Sequence, residues 1–408
     1  MALKFAAFNR RHRKNLYTAA ALSVASALCV RAQNVEFKIG NFPVQVHGFG
    51  SQGFMLSDHN NYLTMKSNSG SFAFTDFGGN ATVQFSDKFR FGAQIYDRNI
   101  GQLGRWRPVL DWATADYRFA DWLGIRAGKV KTVFGLYNDT QDMEFLHTWA
   151  LLPQSVYPLD LRSSSIAHNG VDLYGTVNLP RLGSFSYTGY AGSIPGGRYG
   201  GYSYGAASFG VLLKGMGGTM EGADLRWQTP ITGLLAGASY MHQSVWSKGF
   251  LDSSGVLQSD NGRRNNRTQF YLQYVRDRFK IDAEYRRMVR EALVFDRNEE
   301  ILEDPVTDSR SAYISASYRV AKRLEFGAYY SCFYQDWRDT LSDPDDHIFD
   351  KAITARIDLT PHWDLKIEGH FMDGYAGADS FRGFYLQDNP QGLRPVTNLL
   401  ILRGGFQF

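Results

Sequence analysis

The chain is 408 residues long, with 44 Lys and Arg against 40 Asp and Glu, 15% aromatics, 41 Gly and only 12 Pro. That mixture is rich in strand formers and tight-turn residues and poor in long runs of helix formers. After residue 32 no uncharged apolar run approaches the ~20 residues that a transmembrane helix needs, so a helical membrane protein is excluded there.

The first segment, "MALKFAAFNRRHRKN", sets Lys4, Arg10, Arg11, Arg13 and Lys14 ahead of the uncharged run "LYTAAALSVASALCV", and Val30 and Ala32 give the small-residue pattern of a cleavage site. This predicts a secretory signal peptide over 1–32 and a mature domain over 33–408. Leu28 before Cys29 does not fit a lipoprotein signal, which wants a small residue there. Together with Arg31 the leader carries six basic residues and no acids, leaving 38 basic against 40 acidic. The positive formal charge belongs to the leader and is not read as a nucleic-acid surface. Cys332 is the only cysteine left, so no intramolecular disulfide is available.

The rest of the chain repeats one pattern: an alternating segment, a very short turn, a second alternating segment, then a long polar connection. In "KFRFGAQIY", Phe89, Phe91, Ala93 and Ile95 alternate with Lys88, Arg90, Gly92 and Gln94, the period of a strand with one apolar and one polar face. Strands are predicted near 44–56, 71–85, 88–97, 108–119, 122–133, 169–179, 183–191, 222–229, 233–245, 267–277, 279–290, 310–320, 323–334, 351–359, 362–371 and 396–408. The short connections fall at Ser86, Ala120, Pro180, Pro230, Asp277, Ala321 and Pro361. The others are mostly long, as in "SIPGGRYGGYSYGAASFGVLLKGMGG". The chain closes on "TNLLILRGGFQF", in which Leu400, Leu402, Phe406 and Phe408 share one parity, and Arg403, Gly405 and Gln407 take the other.

An even strand count with short turns at one end and long loops at the other is the arrangement of an all-β transmembrane antiparallel β-barrel of 16 strands, with short periplasmic turns and long external loops. The apolar parity then meets lipid and the charged parity meets water inside. Phe119, Trp122, Trp363, Phe406 and Phe408 stand where an interfacial aromatic girdle belongs. Tandem soluble sandwiches would also alternate, but they do not call for a signal peptide together with alternating loop lengths. A structural or adhesive barrel and a membrane-embedded barrel enzyme are the alternative functions. His47, His242 and His370 lie on predicted strands without a serine elbow or metal-ligand spacing, so no catalytic residue, metal or cofactor is expected.

Four stretches, "VHGFGSQGFML", "DWATADYRFADWLGIRAGKVKTVFGLYND", the long segment after it and the terminal "RGGFQF", give a chain that resembles the trimeric porins of Gram-negative outer membranes. The likeness is greatest to the phosphate-selective (O/P-type) and related anion or small-solute porins. The resemblance implies passive diffusion of small hydrophilic solutes or ions, a homotrimer in outer-membrane lipid, and recognition of Phe408 and Phe406 by the barrel assembly machinery. It also implies that the third loop, here from Asn138 to Asn169, folds into the lumen. Trp149, Leu151, Leu152, Val156 and Leu159 are apolar enough to pack there.

On the wet parity stand Lys88, Arg90, Arg118, Arg126, Arg226, Lys280, Arg286, Arg319, Lys366 and Arg403, and also Asp116, Asp172, Asp224, Asp282, Glu284, Glu325, Asp364 and Glu368. Such side chains set ion selectivity in a narrow passage. The expected pore-lining residues are Arg90, Arg118, Arg126 and Lys129 from the wall and Asp142, Glu144, Asp160 and Arg162 from the loop. The loop charges either point at the pore or hold the loop to the wall. Lys129 and Lys131 leave the parity of Arg126, which implies a bulge after Gly128 or emergence beyond the lipid band.

Overall fold

The computed structural model describes residues 35–196, 200–208, 210–251, 257–295, 300–303, 306–338, 343–376 and 382–408. The expected signal peptide lies outside them. Alternating segments do become strands: β1 (Val35–Ile39), β2 (Phe42–Ser57), β3 (Ser71–Gln84), β4 (Phe89–Ile100), β5 (Val109–Ala120), β6 (Leu123–Lys131), β7 (Ala167–Leu179), β8 (Gly183–Ser193) and β9 (Val211–Gln228) form the first half. The second half is β10 (Leu234–Leu251), β11 (Leu257–Arg276), β12 (Phe279–Phe295), β13 (Ile301–Glu303), β14 (Val306–Ala321), β15 (Leu324–Tyr334), β16 (His347–Asp358), β17 (Trp363–Asp373) and β18 (Val396–Gln407).

Each stave pairs antiparallel with its neighbours, and β18 returns to β2 in register from Leu399↔Ser57 to Gln407↔Phe49. The sheet is therefore a closed barrel of sixteen staves. The short strand β13 lies only at the outer end of β12, and β1 pairs with the first residues of β2, from Val35↔Val46 to Ile39↔Phe42. All seven short turns fall where the sequence places them. At Asp277 the backbone takes φ 54°, a conformation that Asp tolerates in tight hairpins.

The alternation is inside out relative to a soluble protein. Ile353 is 57% exposed on the outer face while its neighbour Thr354 is 4% exposed inside. Ile314, Phe326, Leu173, Phe270, Leu400 and Leu402 continue the apolar outer band, and Asp116, Asp172, Asp224, Asp282, Glu284, Glu325, Asp364 and Glu368 are all buried inside. A continuous apolar exterior round a polar interior suits hydrocarbon outside and water or polar loops inside. Near the short turns, Trp363 packs on Phe406 at 5.4 Å and Phe185 stacks on Trp227 at 5.7 Å. Phe408 exchanges backbone hydrogen bonds with Gly48, and its ring occupies the place where any Cβ on Gly48 would stand.

The structure differs from the sequence expectation in three places. Strands β9 to β12 run well beyond 222–229, 233–245, 267–277 and 279–290, and in β9 Gly215 and Gly217 lie under the indole of Trp246 and do not mark a turn. The "YGGYSYGAAS" stretch holds a helix over Gly201–Ser208. The interior is also not uniformly polar. Leu399 and Ile401 share the inward parity of Arg403, and with Met55, Phe74 and Met372 they pack against Tyr62, Leu63, Leu151, Leu159 and Phe384 from inward-folded loops.

An outward-facing charge separates this arrangement from a soluble β-protein. Ile353→Arg is expected to destabilise the barrel in lipid vesicles by about 2–4 kcal/mol, read from urea unfolding midpoints against wild type.

Candidate functional site

The long connection between β6 and β7, residues 132–166, closes on itself at the wall. Thr132 N donates to Ile166 O at 3.0 Å, and the Asn138 amide donates to Thr132 O and Ser165 O at 2.8 and 2.9 Å. Between these ends the loop reaches the far side of the barrel. In a ring of sixteen staves β15 stands opposite β6, and there Thr148 donates to Glu325 at 2.7 Å while the Trp149 ring lies over Gly327. Trp149, Leu152, Val156 and Tyr157 pack on Tyr313, Tyr329 and Ala352.

Polar anchors hold the loop all round. Glu368 accepts from Ala150 N and Leu151 N at 2.8 and 2.9 Å, and Arg403 donates to Ala150 O at 2.6 Å. The buried Lys366 ammonium pairs with the Glu144 carboxylate and donates to Glu144 O at 2.7 Å. Arg356 donates to Phe145 O and His147 O. On β12, Glu284 accepts from Leu136 N and from the hydroxyls of Tyr157 and Tyr313, and Asp282 accepts from Tyr137. Burial pushes His147 down to about 3, so its ring is neutral at ordinary pH. Its Nε2 lies 3.0 Å from Thr140 O, an acceptor only, and therefore carries the proton.

The structure divides the residues singled out in the sequence into three groups. Arg90 and Arg126 both pair with Asp116, at 2.7 and 3.3 Å, Arg126 also covers the Tyr174 ring at 4.0 Å, and Arg118 is exposed near the short-turn end. Asp142 and Arg162 meet in a buried network with Lys131 and Asp111: Lys131 to Asp142 is 2.6 Å, Arg162 to Asp111 2.9 Å and Arg162 to Asp142 3.4 Å. Burial opposes ionisation of Asp142, but Lys131 and Arg162 outweigh it and hold the carboxyl below its usual range. Glu144 is held by Lys366, and Asp160 accepts from Tyr385 and Gly383 N at 2.8 and 3.0 Å. These four loop charges are anchors. Lys129 falls on the outer parity with Asn169, because the β5–β6 register runs unbroken through Gly128 without a bulge, and its Nζ donates to Leu110 O.

The space left between this loop and the β10–β15 wall is a cavity of about 160 Å³. Among the described residues its lining holds Arg267, Arg286, Arg290 and Arg382 and no Asp or Glu. Arg286 is 8% exposed, donates to Gln269 at 2.7 Å and lies over the Phe134 ring at 5.0 Å. Arg267 donates to Asn265 at 3.4 Å. Neither of these two has a carboxylate partner among the described residues. Arg382, from the loop between β17 and β18, lies over Phe333 at 4.4 Å, and burial lowers it to about 10 against the opposing field of the Asp160 carboxylate, with Arg286 adding to the lowering.

No family model matches the sequence, and no curated protein matches it. Solved structures do match its fold. OmpT of Vibrio cholerae in its trimer form is 11% identical with a TM-score of 0.53, over 90% of this chain and 99% of that one. The anion-selective porin from Comamonas acidovorans is 11% identical at 0.53, over 90% and 100%. The outer membrane channel DcaP of Acinetobacter baumannii is 11% identical at 0.55, over 91% and 99%. The barrel has the porin fold.

Within this porin fold the arginine cavity was only partly visible in the sequence. Arg286 stood on the expected wet face, and Arg290 shares its parity four residues on. Arg267 began a predicted strand, where facing is least defined, and Arg382 sits in a loop without periodicity. The sequence pointed instead to loop charges, whose partners make them fasteners.

Breaking one buried fastener leaves its partner charged and unpaired. Lys366→Met is expected to lower stability in detergent by about 3–5 kcal/mol, and adding Glu144→Gln is expected to restore part of that loss, both read from urea midpoints in a double-mutant cycle.

Proposed function

We propose that the chain is a porin-type channel of the bacterial outer membrane, exported by the signal peptide of residues 1–32, through which small anions diffuse passively. The observation that carries this reading is the cavity between the loop and the wall, where Arg267 and Arg286 face one space with no ion pair to a carboxylate among the described residues. A guanidinium held in such a place without an ion pair carries a desolvation penalty of several kcal/mol, and a passing anion relieves it. A positive field in a narrow, low-dielectric passage concentrates anions and rejects cations.

The anion-selective porin from Comamonas acidovorans has the same fold, which is consistent with this choice of sign. We extend the assembly of OmpT, a trimer in one of its structures, to this chain as a homotrimer in outer-membrane lipid. Phe408 and Phe406 take the part of the terminal signal for the barrel assembly machinery. Arg90, Arg118 and Arg126 line the vestibule at the short-turn end. Inorganic phosphate is one of the anions the channel would admit.

The test is a reversal potential for the mature protein in planar bilayers under a potassium chloride gradient. The expected sign is that of chloride permeation, and Arg267→Glu with Arg286→Glu is expected to shift the anion-to-cation permeability ratio by on the order of tenfold toward cations. Cation selectivity in the wild type would sink the proposal.

A further inference from the structure

This inference rests on the anion-channel reading and names the class of anion. The cavity wall is built in cross-strand rows. At the middle row Met241, Arg267, Met288 and Ser309 stand side by side on β10, β11, β12 and β14. The row toward the short turns carries Gln269, Arg286 and Ser311. Arg267 and Arg286 are therefore diagonal neighbours, about 7–8 Å apart at their backbones, a spacing from which two long side chains reach one carboxylate. Arg267 itself is flanked by two thioethers, and Phe134 and Val156 of the loop complete the cavity's apolar side.

Such a surround suits an anion only in part. Hydroxyls, amides and guanidiniums reward oxygen, whereas Met241, Met288, Phe134 and Val156 offer no hydrogen bond and favour apolar surface. Inorganic phosphate or chloride would lose water against these sulfurs and carbons without compensation. The volume, about 160 Å³, is close to the ~150 Å³ of an apolar cavity that holds benzene.

We propose that this cavity is a binding site for a single-ring aromatic carboxylate, its carboxylate held by Arg267 and Arg286 and its ring lying against Met241, Met288 and Val156. Guanidinium-to-carboxylate pairing fixes the orientation, and the thioethers meet the ring at distances where sulfur and aromatic groups attract.

The experiment measures binding of benzoate, acetate and inorganic phosphate to the folded full-length barrel in detergent by titration calorimetry, with folding checked by heat-dependent gel mobility. Benzoate is expected to bind at least about tenfold more tightly than either other probe. Arg267→Gln is expected to weaken benzoate and acetate alike, and Met288→Thr to remove most of the preference for benzoate. Equal binding of benzoate and acetate, or tighter binding of phosphate, would overturn the assignment, and the comparison of the three probes on wild type stands even if a variant does not fold. Because binding in detergent does not depend on conduction, a cation-selective channel would remove the function proposed above and leave this result to be judged separately.

Discussion

Everything in this molecule depends on the pairing of its first and last staves. Residues Phe49–Ser57 and Leu399–Gln407 close the sheet on itself, and without that closure two edges of unpaired amides and carbonyls would face hydrocarbon at several kcal/mol per group. The chain's last residue takes part. Phe408 extends the seam by two backbone hydrogen bonds to Gly48, and Gly48 has no side chain because the phenyl ring needs its space. The hairpin strand β1 then continues along the same edge of β2, so the seam remains covered beyond the C-terminus.

Closure leaves an interior whose walls carry charges, and the long loop uses them as footholds. The carboxylates of Glu368 and Glu284 each take loop amides, and Lys366, Arg356 and Arg403 take loop carbonyls. A loop inside a barrel has no neighbouring strand to satisfy its backbone, so side chains from the wall must do so. This explains why Lys366 and Glu368, fully buried, are tolerated. Each is paired with a charge or with two amides, and the cost of burying it is set against bonds that fix the loop in one place.

The architecture was largely legible because alternation has a strict period and the short turns have recognisable residues. "KFRFGAQIY" and "SAYISASYRV" each declare a face, and the pairs Asp277–Arg278 and Ala321–Lys322 mark reversals within a residue or two. What escaped the sequence reading was information held between distant residues. Gly215 and Gly217 look like turn punctuation until Trp246 on the adjacent strand is seen to cover them. Leu399 and Ile401 look like an error of parity until the inward-folded loops supply an apolar partner. Arg162 and Asp142 look like pore charges until Asp111 and Lys131 neutralise them. Loop residues have no period to read, and their meaning comes from the wall they land on.

The distribution of partners also says where, on the reading proposed above, a permeating ion would be discriminated. Toward the short-turn end, Arg90 and Arg126 share Asp116, Arg226 pairs with Asp224, Lys280 with Asp282, and Arg319 and Arg356 both pair with Asp358. Paired charges of opposite sign cancel within a few ångströms and leave a weak field, further screened by salt in an open vestibule. In the cavity beyond the loop, Arg267 and Arg286 face space with no carboxylate among its described lining. The number of arginines along the lumen is therefore a poor guide to selectivity. On the reading proposed above, the field that a permeating ion meets is set where Arg267 and Arg286 stand without an ion pair among the described residues, in the space left between loop and wall.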